Sequence, residues 1–332
     1  MKAAILDAPG KLKIQDIAEP QPGDKEVLVK VDYCGVCGSD VKIYKGHWTI
    51  PFPRVLGHEF SGEVVATGKE VKGIQTGDRV TVDPNEYCSE CEYCRDDKPH
   101  FCPNMIDHGI LVDGGFAELA KAGEKVVHKL PDNVSMAEGS FTELLSCAVH
   151  AINRTEIQIG DEVAVFGGGP GGQILHQLAA MGGAGRVVLF TRSKEKLDLA
   201  RKLGATEAIN PDEVNLTDFK FDIVIDAVGS RQIVETALKS LIKKMGKLVV
   251  FGQAAEGEDT TLDLFNLLVD EITIIPTFIN PFTTSQAIRL LEQKKIQVEP
   301  LISHSFALDE AQKGFDVHME KVPGTVKVVL RP

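Results

Sequence analysis

Short runs of β-branched and apolar residues, separated by glycines and charged residues, fill the chain from Lys2 to about Lys129. Examples are Val27 to Val31, Gly62 to Val65 and Arg79 to Val82. Runs of this length between turn residues are typical of β-strands, and the longer segments between them are typical of functional loops. The pattern predicts a compact, mostly β domain.

The apolar spacing becomes helical from Met136 to Asn153, and strand-like and helix-like segments then alternate until about Ile275. The predicted strands and helix starts are, in chain order, Val163 to Phe166, Pro170, Val187 to Phe190, Lys194, Ile223 to Ile225, Gln232 and Lys247 to Phe251. Strict alternation predicts parallel βαβ units in a doubly wound sheet. A last apolar run, Val326 to Val329, predicts a strand that completes the first domain.

The fold class is therefore predicted as α/β, with a Rossmann doubly wound parallel sheet beside a mostly β domain. The catalytic, metal-binding domain is expected to take residues 1–148 and 278–332. The dinucleotide-binding domain is expected to take residues 149–277.

Composition and charge narrow the classes of partner. The chain has 332 residues, 43% of them hydrophobic, and a formal net charge of −12 at pH 7. That charge disfavours nucleic acid and anionic membranes and favours a small molecule as the ligand. No stretch approaches the roughly 20 apolar residues that span a bilayer. The cysteines number seven, and four of them crowd together, which favours metal binding in a cytoplasmic protein over a disulfide framework.

Those four, Cys88, Cys91, Cys94 and Cys102, follow the spacing C-x-x-C-x-x-C-x7-C in a polar segment too short to have its own core. Four thiolates complete the tetrahedral shell of a Zn²⁺ ion and hold the loop in place. Free surface thiols are one alternative. An iron–sulfur cluster is another, although the spacing differs from that of ferredoxins. The motif predicts one structural zinc ion.

A second set of metal-binding residue types comprises Cys37, His58 and Glu59. A thiolate, an imidazole and a carboxylate suit zinc and leave a position open for water or substrate, as a catalytic zinc site requires. Taken alone, a buried cysteine and a histidine beside a glutamate are more often structural. The other motifs therefore decide this assignment.

The run from Gly167 to Gly172 fits G-x-G-x-x-G, with Gly167, Gly169 and Gly172 as its glycines and Pro170 between them. It directly follows a predicted strand and opens a predicted helix. Glycines at these positions let the backbone approach a pyrophosphate that binds at the helix N-terminus. The run predicts a dinucleotide site.

The second strand of this domain ends in Thr191, Arg192 and Ser193, where an enzyme specific for NAD places a carboxylate. A cation flanked by two hydroxyl groups suits a 2′-phosphate, and Lys196 adds a further positive charge. The alternative is that Arg192 is a solvated surface residue. We predict that NADP is preferred over NAD.

Together these motifs resemble the zinc-containing medium-chain dehydrogenase/reductase family, in the branch of the sorbitol, polyol and threonine dehydrogenases. The resemblance covers essentially the whole chain and includes the run Glu143 to Cys147. It implies a GroES-like catalytic domain with a structural-zinc lobe, one catalytic and one structural zinc ion, and a homotetramer or homodimer. It also implies interconversion of a secondary alcohol, expected to be a polyol or a sugar alcohol, with its ketone.

By the same resemblance, Cys37, His58 and Glu59 surround the catalytic zinc, and Glu143 approaches it directly or through water. Ser39 carries the alcohol proton outward, although it is also a candidate cap for a helix starting at Asp40. Three further residues are implied to wrap the ribose and nicotinamide of the coenzyme, namely Val228, Phe251 and Phe278.

The chain departs from the family pattern at several positions. Lys42 stands where the family has a relay histidine, and Leu144 follows Glu143 where proline is common. The absence of an arginine near Ile279 argues against sorbitol itself. The first alternative function is L-threonine 3-dehydrogenase, and a more remote one is a catalytically silent, NADPH-binding protein of the crystallin kind.

Overall fold

The computed structural model describes residues 1–320 and 322–332. Its β-strands are β1 (Lys2–Leu6), β2 (Leu12–Asp16), β3 (Glu26–Val36), β4 (Arg54–Val55), β5 (Glu59–Thr67), β6 (Arg79–Val82), β7 (Asn85–Glu86), β8 (Ile106–Asp107), β9 (Leu119–Gly123), β10 (Val127–Lys129), β11 (Glu162–Phe166), β12 (Arg186–Phe190), β13 (Glu207–Ile209), β14 (Phe221–Asp226), β15 (Ile242–Val250), β16 (Thr273–Pro276), β17 (Ile302–Ala307) and β18 (Lys327–Arg331).

Its α-helices are α1 (Gly38–Tyr44), α2 (Glu92–Arg95), α3 (Met136–Gly139), α4 (Thr142–Thr155), α5 (Pro170–Met181), α6 (Lys194–Lys202), α7 (Arg231–Thr236), α8 (Leu264–Val269), α9 (Thr284–Glu292) and α10 (Ala311–Met319). Among the residues described, no helix is both long enough and apolar enough to cross a membrane.

The chain forms two compact units, residues 1–146 with 281–332 and residues 147–280. The first unit is built on a seven-stranded sheet in the order β10-β6-β5-β3-β18-β17, with β9 also paired to β3. Alternate residues of β3 point into the core, where Val27, Val29 and Val31 are buried. Position 62 of β5 requires glycine, because a side chain there would collide with the Lys30 carbonyl of the neighbouring strand β3.

Strand β18 brings the end of the chain next to the start of β5. It pairs antiparallel with β3, so that Val328 lies opposite Val36, and β3 in turn places Gly35 opposite Glu59. The strand begins one residue later than the apolar run predicted, at Lys327. This register places a lysine beside the first residue of β5.

The second unit contains a six-stranded parallel sheet in the order β13-β12-β11-β14-β15-β16. Its central strands are buried on both faces, as expected when helices cover both sides of a parallel sheet. The rings of Phe166 and Phe190 stack at 4.6 Å in its core. The parallel sheet beside a mostly β unit confirms the predicted fold class.

Candidate active site and dinucleotide site

The four cysteines of the polar lobe converge between β7 and β8. The sulfur atoms of Cys88, Cys91, Cys94 and Cys102 all lie within 4.8 Å of one another. Individual separations are 3.4 Å for Cys91–Cys94, 3.5 Å for Cys102–Cys88 and 3.9 Å for Cys88–Cys94. A tetrahedron with Zn–S bonds of roughly 2.3 Å has edges of about 3.8 Å, so the set fits a closed zinc site.

A second set of metal-binding atoms belongs to Cys37, His58 and Glu59, which lie within 4.8 Å of one another. Cys37 precedes α1, and Glu59 opens β5 after a turn at Gly57, whose φ of +94° favours glycine. His58 and Glu59 are buried, whereas Cys37 is half-buried. One sulfur, one nitrogen and one oxygen donor fit zinc and leave a fourth position for a ligand.

Asp40 holds two of these three residues in place. Its side chain is fully buried, and its Oδ2 accepts a hydrogen bond from the Cys37 backbone N–H at 2.8 Å. Its Oδ1 lies 3.4 Å from Nδ1 of His58. Burial acts to lower the pKa of His58, but the charges and hydrogen bonds of Asp40 and Cys37 outweigh burial and raise that pKa. A carboxylate behind a metal-binding histidine fixes its ring and tautomer.

Lys327 pairs with Glu59 in the interior of the first unit. Both side chains are almost completely buried, and Lys327 Nζ contacts Glu59 Oε2. Burial acts to lower the pKa of Lys327, but Glu59 and the charges of Cys37 and Glu143 raise it. A methyl group at Gly35 would collide with the Glu59 carboxylate and the end of Lys327, so glycine is required beside the pair.

Glu143 lies in the first turn of α4 and is mostly buried. Its charge acts on Lys327, which places it in the neighbourhood of the same buried cluster. The three donor atoms that lie within 4.8 Å of one another in the described chain come from Cys37, His58 and Glu59. A zinc contact by Glu143 therefore stays a prediction.

Ser39 and Lys42 lie one turn apart on α1. Ser39 Oγ is 3.3 Å from His58 Nε2, whereas Asp40 lies next to the other ring nitrogen, Nδ1. The alternative that Ser39 caps a helix starting at Asp40 is wrong, because α1 starts at Gly38 and Cys37 is its N-cap residue. Lys42 is half-buried, and burial lowers its pKa although the Cys37 charge opposes this.

Sequence reasoning missed Asp40 and Lys327 as site residues. Asp40 stands three residues after the N-cap, which is the spacing of a capping box and could have indicated it. Lys327 is the one charged residue between Val326 and Leu330, and a charge inside an apolar run is a signal that it needs a buried partner.

In the second unit, the glycine-rich run forms the predicted turn between β11 and α5. Gly167 has a φ of +118°, and a side chain on it would lie 2.8 Å from Val228 Cγ2. A methyl group on Gly172 would collide with the Gly167 carbonyl. Gly169 is the N-cap residue of α5 and Pro170 its first residue. A cradle that excludes side chains at a helix N-terminus fits a pyrophosphate.

The segment after β12 lies beside this turn. A Cβ on Gly168 would come 2.7 Å from Thr191 Oγ1, and Arg192 is exposed. Ser193 caps α6 by accepting the Lys196 N–H at 3.4 Å, and its hydroxyl donates to Glu195 at 2.6 Å. Ser193 is thus engaged with its own helix, so a phosphate contact would come from Thr191 and Arg192 first.

Residues expected around the ribose and nicotinamide lie at the carboxyl ends of the next strands. Val228 follows β14 and Phe278 follows β16, and the side chain of each is 52% exposed. Phe251 follows β15, and a Cβ on Gly171 would lie 2.9 Å from its ring. Val228 and Phe251 thus lie next to the glycine-rich run, at the carboxyl ends of the strands, where parallel sheets bind ligands.

Comparisons with known proteins cover both units. Residues 23–132 match the family model described as the alcohol dehydrogenase GroES-like domain, and residues 170–293 match that described as zinc-binding dehydrogenase. The chain is 32% identical to D-arabinitol dehydrogenase 1 of Uromyces fabae, over 95% of this chain and 93% of that protein. It is 33% identical to a sorbitol dehydrogenase of Halalkalibacterium halodurans, over 97% and 96% respectively. It is equally 33% identical to an L-threonine 3-dehydrogenase of Yersinia pestis, over 99% of each.

The solved structures that resemble the whole chain include two with a bound coenzyme. One is a Sinorhizobium meliloti protein described as a zinc-binding dehydrogenase and bound to NADP, with a TM-score of 0.95, 33% identity and coverage of 100% of this chain and 99% of that one. The other is an Escherichia coli protein described as an alcohol dehydrogenase and complexed with NADH. Its TM-score is 0.94, with 30% identity and coverage of 100% and 99%.

Proposed function

This chain belongs to the zinc-dependent medium-chain dehydrogenase/reductase family, and from that premise we propose that Cys37, His58 and Glu59 hold the catalytic zinc for a polyol dehydrogenase. The protein is a zinc-binding, NAD(P)-linked oxidoreductase that interconverts a secondary alcohol and its ketone. The observation that carries the site assignment is the convergence of three different donor atoms at one buried point. The four-cysteine lobe is proposed to hold a second, structural zinc.

The chain's own residues prepare this site for alcohol oxidation. A bound zinc ion would polarise the substrate oxygen and make its hydroxyl more acidic, and the coenzyme would accept the hydride. Asp40 fixes the ring of His58 so that Nε2 faces Ser39. With zinc bound beside His58, the Ser39 hydroxyl would be near the substrate oxygen, where it would accept the alcohol proton and pass its own proton to water. Lys327 neutralises Glu59 and keeps its carboxylate in place.

A polyol or sugar alcohol is the proposed substrate class. The relatives named for arabinitol and sorbitol act on such compounds, and they match nearly the full chain. L-threonine is the second candidate, because a relative named for it matches equally well. The two classes differ in charge, since threonine carries an ammonium and a carboxylate that a polyol lacks.

Turnover with a substrate panel tests this proposal. Purified protein is assayed with polyols, sugar phosphates, L-threonine and simple secondary alcohols, and the absorbance of the reduced coenzyme is followed. We expect the highest kcat/KM with a polyol or its phosphate. His58→Ala should abolish turnover yet bind coenzyme normally, because the glycine-rich turn belongs to the other unit. A preference for threonine, or turnover by His58→Ala, would contradict the assignment.

NADP is proposed as the preferred coenzyme. Support comes from the uncharged Thr191 beside the glycine-rich turn and from the exposed Arg192, whose planar cation suits a phosphate. Charge-assisted hydrogen bonds contribute roughly 1.5–3 kcal/mol each, which is about ten- to a hundredfold in affinity. We expect kcat/KM for NADP to exceed that for NAD at least tenfold, which corresponds to roughly one such bond. The double variant Thr191→Asp/Arg192→Leu should reverse this coenzyme preference. Equal use of both coenzymes by the wild type would refute this preference.

We also propose that the chain assembles as a homo-oligomer, a dimer or a tetramer. Strand β16 is one of the two edge strands of the parallel sheet, and α8, which precedes it in the chain, exposes 74% of Leu264, 71% of Phe265 and 75% of Leu268. Large exposed apolar side chains beside a sheet edge favour a protein partner, and a second copy of this edge is the one proposed. Light scattering after size exclusion should give a multiple of 36.0 kDa. Leu268→Asp should shift the mass towards the monomer.

A further inference from the structure

Asp226 is the last residue of β14, and its side chain is fully buried at the edge of the sheet where β11 and β15 also end. Its oxygens do not contact a cation in the described structure. They accept backbone N–H groups instead: Oδ1 from Val228 at 2.9 Å and from Gly229 at 3.1 Å, and Oδ2 from Ser230 at 3.0 Å. One carboxylate thus satisfies three successive amides of the turn that follows the strand.

The main chain of Asp226 holds a second loop. Its carbonyl oxygen accepts the N–H of Phe251 at 3.0 Å and of Gly252 at 2.8 Å, where the chain leaves β15. The side chain and the carbonyl of one residue therefore fix the loops that carry Val228 and Phe251.

The two loops approach so closely that only glycine fits between them. A Cβ on Gly252 would collide with the backbone nitrogen of Gly229, and Gly229 itself has a φ of +75°. On its other side the turn meets the pyrophosphate loop, because a Cβ on Gly167 would lie 2.8 Å from Val228 Cγ2. A shift of the turn from Val228 to Ser230 would therefore move Val228 relative to the loop at Phe251 and to the glycine-rich run at Gly167.

We propose that Asp226 is a positioning residue for the nicotinamide half of the coenzyme, acting through the backbone turn from Val228 to Ser230. The inference rests on the proposed function insofar as Val228 and Phe251 are assigned to the nicotinamide riboside. The adenosine half is assigned to a different loop, that of Thr191 and Arg192. Loss of the carboxylate should therefore weaken binding of a whole dinucleotide and leave binding of its adenosine half unchanged.

Asp226→Asn is the most informative variant. The amide has nearly the same shape, but its NH₂ group would face backbone N–H groups, and a donor cannot satisfy another donor. Asp222→Asn is the matched control. Asp222 lies at the opposite end of the same strand, and its Oδ2 also accepts a backbone N–H, from Glu162 at 2.8 Å. Each variant neutralises a carboxylate of β14 that accepts backbone N–H groups, and Asp222 also pairs with Lys243 at 3.0 Å. Only Asp226 lies at the carboxyl end of the sheet.

Dissociation constants are measured by calorimetry for NADPH and NADH, and for 2′,5′-ADP and AMP as the matching adenosine halves. For Asp226→Asn we expect about tenfold weaker binding of the dinucleotide, because roughly one hydrogen bond to a charged group is lost. The dissociation constant of the adenosine half should change less than about twofold. Asp222→Asn should change neither. Equal weakening of dinucleotide and half-molecule, or no weakening, would overturn the inference.

A second measurement does not depend on the variant folding. Amide hydrogen exchange in the wild type should slow at Val228 to Ser230 when NADPH is added and stay unchanged when 2′,5′-ADP is added. Similar protection by both ligands would overturn the assignment of this turn to the nicotinamide half. If the proposed function itself is wrong, the wild type would bind neither NADPH nor NADH. That result differs from every outcome named for the Asp226 variant and for hydrogen exchange.

Discussion

Lys327→Met tests whether the buried pair with Glu59 is a structural part of the active site. The substitution keeps the unbranched chain up to the ε position, removes the ammonium and leaves a carboxylate buried without its cation, since both partners are at most 2% exposed. Breaking a buried pair on one side costs about 3–5 kcal/mol in free energy of unfolding. We expect a loss of this size in protein stripped of metal.

A zinc ion beside Glu59 changes that expectation. Its positive charge would compensate the carboxylate in place of the lysine, and removal of Lys327 would also remove a cation that repels the metal. The stability lost by Lys327→Met should therefore be smaller in zinc-loaded protein than in stripped protein. Comparing each variant with wild type in the same metal state cancels the contribution of the four-cysteine lobe.

Urea unfolding followed by tryptophan fluorescence measures this difference. Trp48 is the only tryptophan of the chain, and it packs against the core of the first unit, so its signal reports the unit that contains Lys327. Lys121→Met is the control, because Lys121 pairs with Glu26 at 2.9 Å on the surface of the same unit. Such an exposed pair contributes at most about 1 kcal/mol. Equal losses of stability for Lys327→Met and Lys121→Met would refute a structural role for the buried pair. So would a loss for Lys327→Met that is the same with and without zinc.

Wild type should contain two zinc ions by elemental analysis, and Cys94→Ser should contain one and melt at a lower temperature with unchanged KM, because its metal is structural. Asp40→Asn should weaken the other zinc about 10- to 100-fold in competition with a chelator, and an unchanged affinity would remove Asp40 from the site. Ser39→Ala should lower kcat more than Lys42→Ala does, since Ser39 Oγ lies 3.3 Å from His58 Nε2, and the reverse order would refute this proton path. Burial lowers the pKa of His176 to about 4, so as the pH falls below 6.5 the imidazole is protonated in the unfolded chain before it is protonated in the folded one. The free energy of unfolding should therefore drop by about 2 kcal/mol between pH 7 and pH 5. A His176→Asn variant with the same pH dependence in urea titrations would contradict this.

The parts of the molecule that the sequence predicted well are local in the chain. The strand, turn and helix around Gly167 lie within a single βα unit, and the four cysteines lie within one loop. Turn geometry and ligand spacing are encoded in such short segments, so residue types suffice to identify them. The family resemblance, which the comparisons confirm, then supplied the chemistry that joins them.

The contacts that could not be predicted join distant segments. Lys327 reaches Glu59 only because β18 pairs with β3 in a register that sets Val328 opposite Val36. A shift by one residue would turn Lys327 to the other face of the sheet. Register depends on packing across the whole sheet, and no local pattern near Lys327 specifies it. The engagement of Ser193 with Glu195 is local, but it depends on which rotamer the hydroxyl adopts, and residue types do not encode that choice.

Buried carboxylates serve two different purposes in this chain, and their partners distinguish them. Asp40 and Asp226 are both fully buried and accept backbone N–H groups from turns that carry candidate ligand-binding residues. Neither turn could relax without leaving a buried charge unsatisfied, which costs more than an ordinary hydrogen bond contributes. Glu59 is paired instead with the ammonium of a buried lysine, and within the described residues its Oε1 accepts no hydrogen bond. Asp40 and Asp226 are therefore suited to fix the geometry of the main chain, whereas Glu59, which lies within 4.8 Å of the Cys37 and His58 donor atoms, is suited to offer an oxygen to a metal.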